Sequence, residues 1–167
     1  MERRILFRGK NKNTNKWLHG YYCKLDNTTY CRQEDYDKHP DNTKHYIMVD
    51  SVVDWGLPND HKLYEVDPST VSQFTGLYDK EGIGIFEGDI LAIDTYPYTC
   101  DGKQNYFAEV VWFDDCPAFG LYTFKNPASK VSGISIGNTE FMFPNESHTW
   151  KIIGNIHDNP ELMEGRE

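Results

Sequence analysis

Short apolar runs separated by turn residues dominate this chain, and they are densest over Gln73–Leu91. Phe74–Leu77 and Ile83–Phe86 flank the polar connection Asp79–Gly82, which ends in glycine, a residue that adopts positive φ at low cost. Glu87–Asp89 then reverses the chain before the next apolar residues. The pattern predicts three consecutive short strands joined by tight turns, as in a small β-barrel or meander.

Similar runs predict strands towards both ends of the chain. Arg4–Arg8 and Trp17–Tyr22 flank a polar, glycine-containing segment, which predicts an N-terminal β-hairpin within residues 1–23. Tyr106–Phe113 places apolar side chains on both faces, which is typical of a central strand. The last predicted strands fall within Leu121–Phe124, Phe141–Phe143 and Trp150–Ile156.

Helical signals are few and short. Asp67 before Pro68 and Asn159 before Pro160 combine a capping residue with a proline, and each pair predicts a short helix. Residues 24–66 mix acids, His, Pro and Asn without a clear period, and we interpret them as an irregular insertion. Within that insertion we expect brief strands at Tyr46–Val49 and Ser51–Pro58.

Charge is unevenly distributed along the chain. The formal net charge is −9, yet residues 1–24 carry seven Lys/Arg against the single acid Glu2. Nucleic-acid binding normally requires a net basic face, so the overall charge argues against it. A nucleic-acid-binding small β-barrel stays open as the alternative, since stacking aromatic strands could work with basic residues. Those basic residues would be Arg3, Arg4, Arg8, Lys10, Lys12 and Lys16.

Composition also bears on the core and on location. Eleven Tyr, nine Phe and four Trp predict an aromatic-rich core. No apolar run approaches the roughly 20 residues needed to span a bilayer. Met1–Arg4 leads into three apolar residues rather than into the apolar region of a signal peptide. We therefore expect a cytoplasmic protein without membrane contact.

Cysteines and histidines show no metal-binding pattern. The chain contains no C-x-x-C, HExxH or HxH motif. We expect reduced, partly buried thiols, no metal and no cofactor, and we expect His19 to be a half-buried strand residue. The cysteines are Cys23, Cys31, Cys100 and Cys116.

Two acidic clusters are the candidates for catalysis. Asp114 and Asp115 precede Cys116, and Glu87 and Asp89 flank a glycine. A nucleophilic thiol needs a base and an orienting group, which the sequence does not place. Acids in turns commonly bond nearby backbone amides. We therefore predict no catalytic residues, and an enzyme is the least favoured reading.

Three parts of the chain resemble the YopX-like proteins encoded by phages and prophages of low-GC Gram-positive bacteria. These parts are Arg4–Gly9 with Trp17–Tyr22, Thr70–Lys80 with Ile85–Ile90, and Ile153–Leu162. Residues 24–66 and 125–149 carry no resemblance, and Lys80–Gly84 replaces the usual Lys-Asn-Gly-Lys run. The resemblance implies a β-rich fold with an SH3-like barrel and carries over no catalytic residues.

Pattern and resemblance together predict a mainly β protein: an SH3-like small β-barrel with an N-terminal β-hairpin, an irregular insertion and one or two short helices. We expect one YopX-like domain over residues 1–167. Its parts are the hairpin at 1–23, the insertion at 24–66, the barrel core at 67–157 and a C-terminal tail at 158–167.

We expect a non-enzymatic, phage-derived accessory protein that acts through protein–protein contacts, since aromatic residues are abundant and no catalytic cluster is visible. A host or phage protein is the expected partner. We also expect a homo-oligomer, with Trp17 or Tyr22 of the hairpin at the contact. The alternative is a monomer in which residues 24–66 fold back as a lid.

Overall fold

A computed structural model describes residues 4–93, 106–125, 137, 139–142 and 149–163. The chain folds as two compact units, Met1–Gln73 and Phe74–Glu167. No helix in the described ranges is long and apolar enough to cross a membrane. The division into domains predicted from the sequence stays a prediction.

The first unit contains four strands and the first residues of a fifth. They are β1 (Phe7–Lys10), β2 (Trp17–Asp26), β3 (Thr43–Ser51), β4 (Asp60–Glu65) and β5 (Ser72–Tyr78), with the α-helix α1 (Gln33–Asp37) and 3-10 helices at Pro40–Asn42 and Pro68–Thr70. β1 and β2 pair antiparallel, from Phe7 opposite Gly20 to Lys10 opposite Trp17. The predicted N-terminal hairpin is therefore confirmed.

The second unit contains the rest of β5 and six further strands. They are β6 (Gly84–Phe86), β7 (Asp89–Ile93), β8 (Tyr106–Phe113), β9 (Ala118–Lys125), β10 (Thr139–Phe141) and β11 (Trp150–Asn155), followed by a 3-10 helix at Pro160–Met163. β8 pairs with β7 on one side and with β9 on the other, which confirms the predicted central strand.

The strands form two antiparallel sheets, in the orders β4-β3-β2-β1-β5-β6 and β10-β9-β8-β7-β11. The mainly β class is confirmed. Neither sheet closes into a barrel within the described residues, so the predicted SH3-like barrel is not confirmed.

Residues 24–66 are more regular than the sequence predicted. β3 and β4 pair residue by residue, and β2 pairs with β3. Pairing between strands therefore stabilises β3 and β4, although their polar composition does not predict strands. The Asn42 amide bonds both backbone groups of Thr28, at 2.7 and 2.9 Å, and fixes the connection before β3. The prediction of a strand over Ser51–Pro58 is wrong, because β3 ends at Ser51 and a loop follows.

Aliphatic residues make up most of the buried core of the second unit. Its buried members are Ile85, Leu91, Ile93, Tyr106, Ala108, Val110, Leu121 and Trp150. Trp150 and Tyr106 are the largest fully buried side chains of the described residues, and Phe74, Phe86 and Phe124 are buried as well, as the predicted aromatic-rich core requires. Other rings lie at half-exposed positions, such as Trp112 against Phe119 with ring centroids 4.9 Å apart.

The hairpin between β5 and β6 is held by one buried carboxylate. Asp79 Oδ1 accepts from the amides of Glu81 and Ile83, both at 2.9 Å, and Oδ2 accepts from the Ile152 amide at 3.2 Å. The Lys80 amide donates to the Trp150 carbonyl at 2.9 Å. The predicted turn therefore also covers part of the free side of β11.

The turn between β6 and β7 depends on a glycine at positive φ. Gly88 has φ +74°, its amide donates to Val110 and its carbonyl accepts from Ile156. The buried Asp89 accepts from the Phe86 amide at 2.8 Å. This bond to an amide of the preceding strand agrees with the interpretation of the acids in this turn as partners of nearby backbone amides.

The two predicted capping patterns both produce short 3-10 helices. Asp67 accepts from the Ser69 amide at 3.0 Å at the start of Pro68–Thr70. The second helix spans Pro160–Met163. The sequence therefore located these two helices, but the prediction of only one or two helices is wrong, because α1 and the 3-10 helix at Pro40–Asn42 are also present.

Replacing Gly88 with valine should lower the free energy of unfolding by about 1–3 kcal/mol, because a side chain at this φ is strained. A Cβ there would also lie 3.2 Å from Ile156. Gly82 shares the positive φ, but a Cβ added to it would meet no atom within 4 Å. In thermal melts G82A tests backbone strain alone, whereas G88A tests strain together with crowding. Equal melting temperatures for G88V and wild type would contradict the assignment of Gly88 to a turn at positive φ.

Replacing Asp79 with alanine should cost about 3 kcal/mol, because three partly buried amides lose a charged acceptor at once. The D79N variant should lose less, since one carbonyl oxygen can still accept from Glu81 and Ile83. Urea unfolding of the three proteins measures the difference. Equal stabilities of D79A and wild type would contradict a structural role for the carboxylate.

Candidate functional site

The acidic turn with a cysteine lies on the surface between β8 and β9. Asp114, Asp115 and Cys116 are all exposed. They line a pocket of about 490 Å³ together with Trp112, Phe113, Thr139 and Phe141. Among the described residues no hydrogen bond joins the Cys116 thiol to a base. The turn therefore places the three predicted candidates around one surface pocket.

Glu87 and Asp89 do not present a pair of reactive carboxylates. The Asp89 side chain is 1% exposed and holds the turn before it. Glu87 lies in that turn and is half-buried. Asp89 therefore serves the fold of the second unit.

Metal-binding clusters do not occur in the described part of the chain: no group of three or more His, Cys, Asp and Glu side chains could hold an ion there. Cys23, Cys31 and Cys116 are free thiols, and Cys23 alone of these three is half-buried. Cys100 lies outside the described residues. The expectation of partly buried thiols therefore holds for Cys23 and is wrong for Cys31 and Cys116.

Several cations of the basic hairpin contact groups of their own unit. The Arg8 guanidinium lies 4.7 Å and the Lys10 ammonium 5.3 Å from the centre of the Trp17 ring. Lys12 Nζ lies 2.9 Å from Glu65, which also pairs with Lys44 at 3.2 Å. Arg4 and Lys16 are exposed, and Arg3 lies outside the described residues. The pairing of Lys12 with Glu65 reduces the positive charge that the hairpin offers to phosphates.

The ionisation of hairpin residues reflects these contacts. Hydrogen bonds from Lys12 and Lys44 lower the pKa of Glu65, and the bond to Glu65 raises the pKa of Lys12. His19 lies opposite Arg8 on β2 and is exposed, so its prediction as half-buried is wrong. Partial desolvation and the Arg8 charge lower the pKa of His19.

Tyr22 of the hairpin contacts other residues of the first unit. Its hydroxyl lies 2.6 Å from Nδ1 of His45, and its ring centre lies 5.5 Å from that of Phe7. Desolvation, followed by the neighbouring Cys23, raises the pKa of Tyr22. A role for Tyr22 in an oligomer contact stays a prediction.

Among the residues that the structure describes, the most exposed apolar side chains belong to the loop between β3 and β4, which we call the apolar loop (Val52–Leu57). Val52 is 77% exposed and Trp55 is 99% exposed. Asp54 accepts from the Trp55 amide at 2.7 Å, and its carbonyl accepts from Leu57 at 3.3 Å. Gly56 follows with φ +77°. This tight turn presents the indole to solvent.

Exposed apolar side chains continue from the apolar loop into β4. Six of those in the described residues fall between positions 52 and 64: Val52, Val53, Trp55, Leu57, Leu63 and Tyr64. A concentration of this kind marks an interaction site more often than chance exposure. Sequence reasoning missed the site because the valines and tryptophan were assigned to a strand. The flanking Gly56 and Pro58 were the signal for a loop.

A pocket of about 740 Å³ lies on the same unit as the apolar loop. Asp50, two residues before the loop, contributes one wall. The other lining residues are Arg4, Ile5, Leu6, Phe7, Tyr21 and Tyr22. None of the pocket's lining residues belongs to the apolar loop, which is the best candidate for a functional site in the described residues.

This chain is similar to known proteins in its fold and in its sequence family. The crystal structure of protein EF1440 from Enterococcus faecalis is similar at 20% identity, with a TM-score of 0.48, over 98% of this chain and 100% of that chain. None of the curated proteins matches the sequence. The family model described as YopX protein matches residues 6–164. Since that match spans nearly the whole sequence, the chain belongs to the YopX protein family.

Proposed function

We propose that this YopX-family protein is a non-enzymatic accessory protein that acts through protein–protein contacts, and that the apolar loop is its contact element. The observation that carries the proposal is the Trp55 side chain, which is 99% exposed at the tip of a turn. A tryptophan costs little conformational entropy to order and often anchors an interface. At this exposure the Trp55 side chain buries almost no surface against its own fold.

Charge around the apolar loop favours a protein partner over a membrane or a nucleic acid. The loop itself carries one acid, Asp54, and no cation. Of the acids beside it, Asp50 lies 2.8 Å from His61 and Asp60 lies 3.5 Å from Lys62. Anionic lipid head groups and phosphates would therefore find no cation in the loop to bind. A protein surface with an apolar pocket and a basic rim complements the exposed apolar side chains and Asp54.

The absence of catalysis is part of the same proposal. Asp89, one of the predicted catalytic candidates, holds a turn, and Cys116 has no bonded base among the described residues. We further propose a phage or prophage origin, a cytoplasmic location in the bacterial host and a homo-oligomeric state. The family resemblance supports the origin.

Replacing Val53 and Trp55 with serine should abolish partner capture without changing the fold, because both side chains are exposed. Immobilised wild type, V53S/W55S and an I83S control would be incubated with lysate from phage-infected host cells. Ile83 is 52% exposed and lies in the other unit. The proposal requires a protein that wild type and I83S retain, that V53S/W55S loses, and that binds purified wild type in calorimetry.

Identical captures by all three proteins, at equal melting temperatures, would contradict the assignment of the apolar loop. Capture of no protein by wild type would contradict the proposed contact function itself.

Nucleic-acid binding should be weak, because the chain carries a net charge of −9 and several hairpin cations already have partners. Fluorescence anisotropy with single-stranded and duplex oligonucleotides at physiological salt measures it. Sub-micromolar affinity that falls steeply with added salt would overturn this expectation. Loss of that affinity in a K10E/K16E variant would assign the binding to the hairpin.

A further inference from the structure

Strand β4 ends its sheet and presents one side of its backbone. The Val66 amide donates to His45 of β3, and the Glu65 carbonyl accepts from Lys12 on the opposite side. Since backbone groups alternate in direction along a strand, His61 and Leu63 also point away from β3. Their amides and carbonyls have no backbone partner among the described residues.

Only part of the β4 edge is open. Lys12 bonds Glu65, and Asn11 forms a bridge with Val66, so the carboxyl end of β4 is covered. The stretch Asp60–Tyr64 is uncovered in the described structure. An exposed edge of this kind is a template for another strand.

We propose that a second copy of this chain pairs its own β4 antiparallel to this edge, with His61 opposite the partner's His61. The inference deepens the proposed homo-oligomeric state, on which it rests, by assigning its contact. Two-fold symmetry and the outward direction of His61 and Leu63 allow pairings centred on residue 60, 61, 62 or 63. The charges of the strand distinguish between them.

Three of these four pairings are unfavourable. A centre at Asp60 or at Lys62 places two like charges directly opposite each other, which destabilises a strand pair. A centre at Leu63 places the partner's His61 against Glu65, where Lys12 already lies. These three registers are therefore disfavoured by charge or by occupancy.

The pairing centred on His61 is self-complementary. It places Asp60 opposite the partner's Lys62, and Lys62 opposite the partner's Asp60. Within one copy Asp60 and Lys62 already lie 3.5 Å apart, and β3 offers them no charged partner, since Asp60 lies opposite Ser51 and Lys62 lies opposite Val49. The pairing therefore joins the two intrachain pairs into one network of four alternating charges. The same register places Tyr64 opposite the partner's Pro58, at the end of the partner's apolar loop. Apolar contact there adds to the two ion pairs.

Analytical ultracentrifugation of the full chain tests the proposal with charge variants. Wild type should sediment at about twice the monomer mass of 19.4 kDa. K62E should weaken dimerisation at least about tenfold, because both ion pairs become repulsive. D60K/K62E should restore it, because the exchange recreates both pairs. K16E makes the same change in net charge at an exposed hairpin residue and should dimerise like wild type.

A wild-type mass of 19.4 kDa up to millimolar concentration would overturn the proposal. So would dimerisation of K62E with the affinity of wild type, or failure of a folded D60K/K62E to recover. Capture of a partner protein by monomeric K62E would leave the proposed contact function intact, so the two proposals fail separately.

Discussion

Strands that end a sheet must find hydrogen-bond partners for their outward backbone groups, and this constraint organises both units. In the second unit the β5–β6 turn covers β11. Asp79 accepts from Ile152, Lys80 donates to Trp150, and Lys151 pairs with Glu81 at 2.8 Å. In the first unit Lys12 covers only the last residue of β4. The remaining edge and the apolar loop beside it are what the fold leaves available for contacts.

The segments that resemble the YopX-like proteins stabilise the fold of this chain. Gly88 bonds Ile156 across the second unit, so the second and third segments of resemblance contact each other. Asn155 accepts from the amides of His157 and Asp158 at 3.0 and 2.9 Å and shapes the turn after β11. The motifs therefore define a scaffold. The apolar loop lies in residues 24–66, which contain none of the three resembling segments although the family model spans them.

Local signals predicted the hairpins, the central strand and both short helices, because turns and caps depend on neighbouring residues. Gly82 and Gly88 at positive φ and the Asp67 cap are examples. Strands β3 and β4 were largely missed because their regularity comes from pairing with β2 and with each other. The candidate site was missed for the opposite reason: apolar residues such as Trp55 imply burial in a sequence, and nothing local shows that the fold leaves them outside.

Amide hydrogen exchange, followed residue by residue at several protein concentrations, tests the central claim that the β11 edge is covered within the chain while the β4 edge is left for a partner. The account predicts protection of the Ile152 amide at every concentration. It predicts that the His61 and Leu63 amides exchange rapidly in dilute protein and become protected as concentration rises. Concentration-independent protection at His61 and Leu63, or rapid exchange at Ile152, would contradict it.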